Sequence, residues 1–202
     1  MADFNASDKD FDYLRGFTVD FNLANGFSSK KATSKRFLSK VKGMFYDEKA
    51  ADEYIAKYGD KLVYEFHEMG VPETSGDLAY GISIVYPGKV GDEYHMTKGH
   101  FHCILETGEV YYCLGGHGYM MLESPEGDWS CQELLPGKLV YCPKRYAHRS
   151  INVSPSEPLR TFFVFRADAG HDYGTIEEKG YRNLLVDRNG EPTVIANPKW
   201  EG

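Results

Sequence analysis

From about residue 61 the chain is a succession of short aromatic and β-branched runs, each closed by Gly, Pro or Asp: KLVYEFHEM, LAYGISIVYPG, GHFHCILETGEVYYCLGG, GYMMLESPEGDW, GKLVYCPKRYAHRSINV and LRTFFVFRA. About eight or more short strands at this spacing leave no room for crossover helices, so the pattern predicts an antiparallel sandwich or barrel rather than βαβ units. SPEGD, residues 124–128, is the clearest hairpin turn. Outside this run the best helix is Asp47–Gly59, where Ala51, Tyr54, Ile55 and Tyr58 recur at helical spacing and Gly59 closes the element. Residues 17–45 carry no decided pattern. After Tyr173 come a short polar helix in TIEEKG and two strands, YRNLLV and EPTVIA, with Trp200 placed to tie down the end. With 202 residues the chain suits one domain: a barrel core over about 61–168, an N-terminal extension 1–60 and a C-terminal extension 169–202.

Composition removes several functions. Hydrophobic residues make up 42% of the chain, with 15 Tyr and 12 Phe, too many for a disordered chain. Thirty acidic against 23 basic side chains give a net charge of -7 with no basic stripe, which argues against nucleic-acid binding. The opening MADFNASDKDFDYLRG has neither the basic nor the apolar region of a signal peptide, and no run approaches the ~18 apolar residues of a membrane span. A cytoplasmic protein is expected. Cys103, Cys113, Cys131 and Cys142 lack CxxC spacing and sit among apolar residues, so they read as reduced and buried.

The chemistry concentrates in KGHFHCILETGEVYYCLGG. His100 and His102 are two apart, so on a strand both rings face the interior. If Glu106-Thr107-Gly108 turns the chain into a hairpin, Glu109 starts the returning strand beside His102, with Tyr111 on the same side. Two imidazoles and a carboxylate then converge, a set suited to Fe, Mn, Ni or Co rather than to a thiolate zinc site. His148, after the strand Gly137–Pro143, is the expected fourth ligand, with Asn152 beyond it as an outer or turn residue. His67, His95 and His117 stand alone and read as hydrogen-bonded core residues.

The spacing resembles a known pattern. His100-x-His102, six residues, Glu109, six residues, Gly116 is similar to the first cupin motif, whose usual gap before the glutamate is three or four. Gly137, five residues, Pro143, then His148, three residues, Asn152 is similar to the second, with Arg145 in place of its usual glycine. Glu106 falls at the ordinary gap, but only Glu109 keeps the distance to Gly116. MTKGHFH, AHR and ADAGHDYGTIEEKG together resemble the cupin-type glucose-6-phosphate isomerase family of archaea and some bacteria, from about residue 50 to NPKW. The resemblance implies an all-β cupin barrel, a homodimer and one divalent metal per subunit, Fe²⁺ first with Mn²⁺, Ni²⁺, Co²⁺ or Zn²⁺ as substitutes, held by His100, His102, Glu109 and His148. No nucleic acid or membrane partner is implied.

The implied reaction interconverts D-glucose 6-phosphate and D-fructose 6-phosphate in glycolysis and gluconeogenesis. It moves a proton between C2 and C1 while charge develops on the sugar oxygens, which a divalent metal near O1 and O2 would stabilise. Glu109 is the residue the family points to as the proton carrier, although a metal-bound carboxylate is a weakened base and a hydride shift competes. His148 and Tyr111 complete the expected catalytic group. By the same resemblance the phosphate end is lined by Ser83, where familiar members have threonine, and by Thr97, Gly99 and Tyr173; Lys98 adds an ammonium and His171 a neighbour of the sugar. Phe165-Arg166 replaces the family's Tyr-Pro, removing one phenolic hydroxyl and offering a guanidinium. Two rivals use the same ligands: a cupin dioxygenase, which would consume oxygen and need no phosphate subsite, and a non-catalytic sugar-binding cupin, which would normally adjoin a DNA-binding segment.

Overall fold

In the computed structural model, residues 13–27, 34–69 and 71–201 are described; the start of the opening segment, residues 1–12, lies outside them. The all-β cupin-type barrel expected from the sequence is what the chain forms. Its large antiparallel sheet contains β1 (Ser34–Phe37), β2 (Leu62–Met69), β3 (Leu78–Val85), β11 (Leu159–Arg166), β6 (Glu109–Gly115) and β9 (Leu139–Cys142), in that spatial order. Facing it are β10 (Ala147–Asn152), β7 (Gly118–Glu123) and β8 (Trp129–Leu134), and a four-stranded sheet of β13 (Glu191–Ala196), β12 (Asn183–Arg188), β5 (Glu93–Tyr94) and β4 (Lys89–Val90). The C-terminal hairpin therefore extends a sheet of the core: Val186 of β12 pairs with Glu93 of β5.

Alternation decides which side chains line the interior. In β11, Leu159, Thr161, Phe163 and Phe165 are buried, and the residues between them turn outward to partial exposure. The register carries one interior row across four strands: Glu68 opposite Gly81, Gly81 opposite Phe163, Phe163 opposite Tyr111. Gly81 lets this row close up, since a Cβ there would lie 2.8 Å from Glu68 Cα and 2.8 Å from Phe163 Cζ. The next row joins Ala79, Phe165, Glu109 and Cys142.

The other elements follow their local chemistry. Helix α2 (Glu48–Tyr58), preceded by the single turn α1 (Leu38–Val41), begins where the Asp47 carboxylate accepts from Ala50 N at 2.9 Å, and ends at Gly59, φ 79°. SPEGD closes the β7–β8 hairpin through Gly127 N to Ser124 O, 3.0 Å. TIEEKG forms α3 (Gly174–Lys179), and the Arg182 guanidinium lies 4.6 Å from the centre of the Trp200 ring, fastening the end as expected.

Two expectations are corrected. Residues 98–105 do not form a strand, and there is no hairpin with β6: His100 makes an isolated bridge to His148 and Phe101 one to Asp172, and the chain turns through 103–106. Backbone pairing with two different partners in successive residues leaves no ladder for a strand to follow. The cysteines are all unpaired, but only Cys113 and Cys142 are buried; Cys131 is partly covered, and Cys103 is exposed because it falls in that turn.

Candidate active site

The irregular segment nevertheless brings its two histidines to the ends of two strands. One ligand atom from each of His100, His102, Glu109 and His148 lies within 4.8 Å of the others. Glu109 opens β6 and His148 is the second residue of β10, so the group joins the two faces of the barrel. Glu106, the carboxylate at the ordinary cupin gap, is exposed and paired with Lys144.

Hydrogen bonds fix which nitrogens face inward. The Thr107 hydroxyl donates to Ile104 O at 2.7 Å, so its oxygen accepts from His102 Nδ1, also at 2.7 Å. His148 Nδ1 lies 3.3 Å from the Tyr146 carbonyl, which can only accept. Both rings thereby turn Nε2 toward Glu109. His102 Nε2 is 3.1 Å from Glu109 Oε2 and His148 Nε2 is 3.0 Å from it, the latter without hydrogen-bond alignment. Nε2 of His100 is buried and also lacks a partner. Three imidazole nitrogens and a carboxylate oxygen converging in a buried site, two of the nitrogens without a hydrogen-bond partner, fit a cation.

Electrostatics agree with the geometry. Burial alone would raise the Glu109 carboxyl, but the His148 and His102 imidazoles outweigh it and bring it down to about 2. Burial, reinforced by its histidine neighbours, holds His100 well below the ordinary imidazole range. Cys142, opposite Glu109 across β6–β9, is held well up by burial and by the Glu109 charge, so it offers no thiolate. The donors are nitrogen and oxygen only, a set that suits Fe, Mn, Ni, Co or Zn.

The other residues singled out by sequence divide into two groups. Close to the histidines are Tyr111, whose ring centre is 5.7 Å from that of His148, and His171, 4.3 Å from His100; Tyr173 stacks on His171 at 5.8 Å. Burial pushes the Tyr111 and Tyr173 phenols up and His171 down to about 4, so at neutral pH the phenols keep their protons and His171 is neutral. Farther out, Thr97 Oγ1 accepts from Ser150 N at 3.0 Å, and the Lys98 ammonium pairs with Glu177 of α3 while lying 5.3 Å from the Tyr173 ring centre. Ser83 faces the interior of β3, in the row of Phe66 and Thr161. Phe165 stacks on His102 at 5.8 Å, whereas Arg166 points outward and forks onto Asp168, so it adds no charge to the pocket. Of the lone histidines read as core, His95 is buried with Nδ1 3.2 Å from Tyr86 O and His67 is buried and stacked on Phe27, whereas His117 is half-exposed and pairs with Glu133 at the surface.

Sequence reasoning missed Thr107 and Tyr146, which orient the ligand rings, and Asn152 proves to be a turn brace, donating to Val85 O and Glu157 O. It also passed over Glu68, on the inner side of β2, whose carboxyl is raised to about 7 by burial and by the Glu109 charge. A threonine in a turn and a backbone carbonyl carry no distinguishing signal in a single sequence.

Residues 34–200 match the protein-family model described as "Glucose-6-phosphate isomerase (GPI)". A curated glucose-6-phosphate isomerase of Pyrococcus furiosus is 42% identical over 189 residues, 94% of this chain and 99% of that one. A protein of Rhizobium meliloti, named putative glucose-6-phosphate isomerase 1, is 35% identical, over 92% of this chain and 86% of its own. Among solved structures, an oxalate oxidase superposes over 49% of this chain and 47% of its own, with a TM-score of 0.41 and 12% identity.

Proposed function

The chain belongs to the glucose-6-phosphate isomerase family, and from that premise we propose that it interconverts D-glucose 6-phosphate and D-fructose 6-phosphate, with one divalent metal per subunit held by His100, His102, Glu109 and His148. The donor set carries the reading: three imidazoles and one carboxylate within 4.8 Å, with buried Nε2 atoms lacking hydrogen-bond partners. Iron is the first choice of ion, with Mn²⁺, Ni²⁺, Co²⁺ or Zn²⁺ able to replace it. When bound, such an ion polarises the carbonyl and hydroxyl oxygens at C1 and C2.

The chain's own groups bind and orient the substrate and move its proton. Tyr111, protonated and beside His148, is a donor for a sugar oxygen, and His171, neutral and against His100, lines the pocket for the hydroxyls. The phosphate lies toward Ser83, Thr97, Lys98, Gly99 and Tyr173; Lys98 serves it by exchanging Glu177 for the anion. Glu109 carries the proton between C2 and C1. Because one oxygen of that carboxylate already faces two imidazoles, at 3.0 and 3.1 Å, a direct hydride shift is the second route. Turnover in deuterated water separates them: the proton route incorporates solvent deuterium, and the hydride route does not.

A homodimer, a cytoplasmic location and a place in glycolysis and gluconeogenesis belong to the same reading. Among the described residues no helix is long and apolar enough to cross a membrane. The test is a coupled assay on purified protein, with mannose 6-phosphate alongside. Chelation should abolish interconversion of the two hexose phosphates, and Fe²⁺ or Mn²⁺ should restore it. Metal-loaded protein that turns over neither would sink the proposal, and metal-dependent oxygen uptake would favour the dioxygenase.

A further inference from the structure

Arg149 follows the ligand His148, yet its side chain turns away from the cluster into the core, where only 2% of the residue is exposed. Its Nε and Nη2 both donate to the Lys98 carbonyl, at 3.1 and 2.8 Å, and its guanidinium lies 4.3 Å from the Tyr181 ring centre. Among the described residues no carboxylate forms an ion pair with it. Glu123 is committed to Arg182 and Glu93 to the Tyr46 amide, so neither pairs with it. A buried guanidinium without an ion pair is costly unless another anion shares its surroundings.

The loop above it lacks a partner of the complementary kind. Across a trans peptide the carbonyl and the following N–H point in opposite directions, so a Lys98 carbonyl drawn toward Arg149 turns the Gly99 N–H away from the core. Gly99 is buried, and its N–H finds no acceptor among the described residues. The position excludes a side chain: φ is 78°, and a Cβ would lie 2.9 Å from Tyr181 Cε2. On the other side Thr97 is laced to Ser150, N to O at 2.9 Å and Oγ1 from N at 3.0 Å.

We propose that Arg149 is a positioning residue for the phosphate end of the pocket: its forked grip on the Lys98 carbonyl aims the Gly99 amide at the anion, and its buried charge attracts that anion from beneath. This rests on the reading of Thr97–Gly99 as the phosphate subsite. Arg149 touches neither the sugar nor the reacting carbons. Its removal acts on binding of the phosphate group and leaves the chemical step in place.

The test uses the metal-loaded full chain with Arg149→Lys, which keeps the charge but loses the fork, and Arg149→Gln, which keeps one donor and loses the charge. Inorganic phosphate is titrated by calorimetry, and steady-state kinetics are measured with glucose 6-phosphate. The phosphate Kd and the KM should rise together by about tenfold in Arg149→Lys and further in Arg149→Gln, with kcat within about threefold and metal content retained. In the unaltered chain, phosphate should slow hydrogen exchange at the Gly99 amide, a readout that needs no variant to fold. Lower kcat at constant KM, lower thermal stability with phosphate affinity intact, or no protection at Gly99 would overturn the proposal and leave Arg149 a core brace. Phosphate binding needs no turnover, so wild-type protein that binds phosphate through Gly99 without isomerising hexose phosphates would retain this role and overturn only the isomerase reading.

Discussion

The ligand cluster is set by groups that do not belong to it. The Thr107 hydroxyl donates to Ile104 O and accepts from His102 Nδ1, and the Thr107 carbonyl stands 3.2 Å from the same nitrogen, so the two oxygens of one residue fix the tautomer and the ring orientation. Thr107→Val, close in shape but without the hydroxyl, keeps only the longer carbonyl contact and should weaken metal binding by about tenfold, measured by competition with a metal indicator, with little change in fold. Arg145 makes the complementary point about backbone. It occupies the place where the second cupin motif has glycine, and it adopts φ 72°, the left-handed region that a side chain enters only with strain. The motif's glycine is thus a conformational requirement, met here by a strained arginine whose side chain reaches Glu126. Arg145→Gly should raise the melting temperature by about 2 °C, read by differential scanning calorimetry, since an exposed ion pair is worth less than the strain it replaces.

At the scale of elements, what could be read in advance was whatever depends on neighbours along the chain. The strand run LRTFFVFR, the helical spacing and Gly59 stop of α2, and the SPEGD turn are local, and they formed as read. The stretch around His100 and His102 has the same residue types as its neighbours, yet its hydrogen bonds go to β10 and to Asp172, distant in sequence, so composition could not separate it from a strand. The four residues that converge in the cluster could still be singled out because their spacing is a property of the site, whereas Thr107, Tyr146, Arg149 and Glu68 act through contacts no periodicity encodes. Gly81 shows the cost of disturbing a row: Gly81→Ala puts a methyl against Glu68 Cα and Phe163 Cζ at 2.8 Å, between two paired strands that cannot separate. A loss of about 1–3 kcal/mol in denaturant unfolding is expected, with reduced activity through the Phe163 and Tyr111 positions.

For the whole molecule, acid response follows from buried groups well away from the cluster. Burial lowers His95 to about 4 from an ordinary 6.5, opposed only in part by the Tyr86 carbonyl. Between those values the unfolded chain binds the proton and the folded one does not, so this residue's contribution is present above pH 6.5 and is lost as pH falls toward 4. Glu93, raised by burial to about 7, works in reverse: its folded form keeps a proton the unfolded chain has released, so stability falls as pH rises from about 4.5 through 7. The two offset each other across the weakly acidic range. Denaturant titrations of His95→Gln against the parent chain should uncover the histidine's share, a difference changing by about 3 kcal/mol between pH 6.5 and 4, largest at the acid end. Equal pH dependence in the two proteins would rule it out.

The bridges at His100 and Phe101 have one more consequence, in terms of chain topology. Residues 98–108 are attached to the barrel at a few points and belong to no ladder, while two of the four donors sit on them and two on strands of opposite sheets. An ion gripped by all four is a removable cross-link that closes the loops between residues 100, 109 and 148, restricting the unfolded chain as a disulfide would, but reversibly and without thiols. If the proposed ion sits there, its removal should loosen the turn at Cys103–Glu106 first, and a protease should cut that turn faster in chelated protein than in metal-loaded protein.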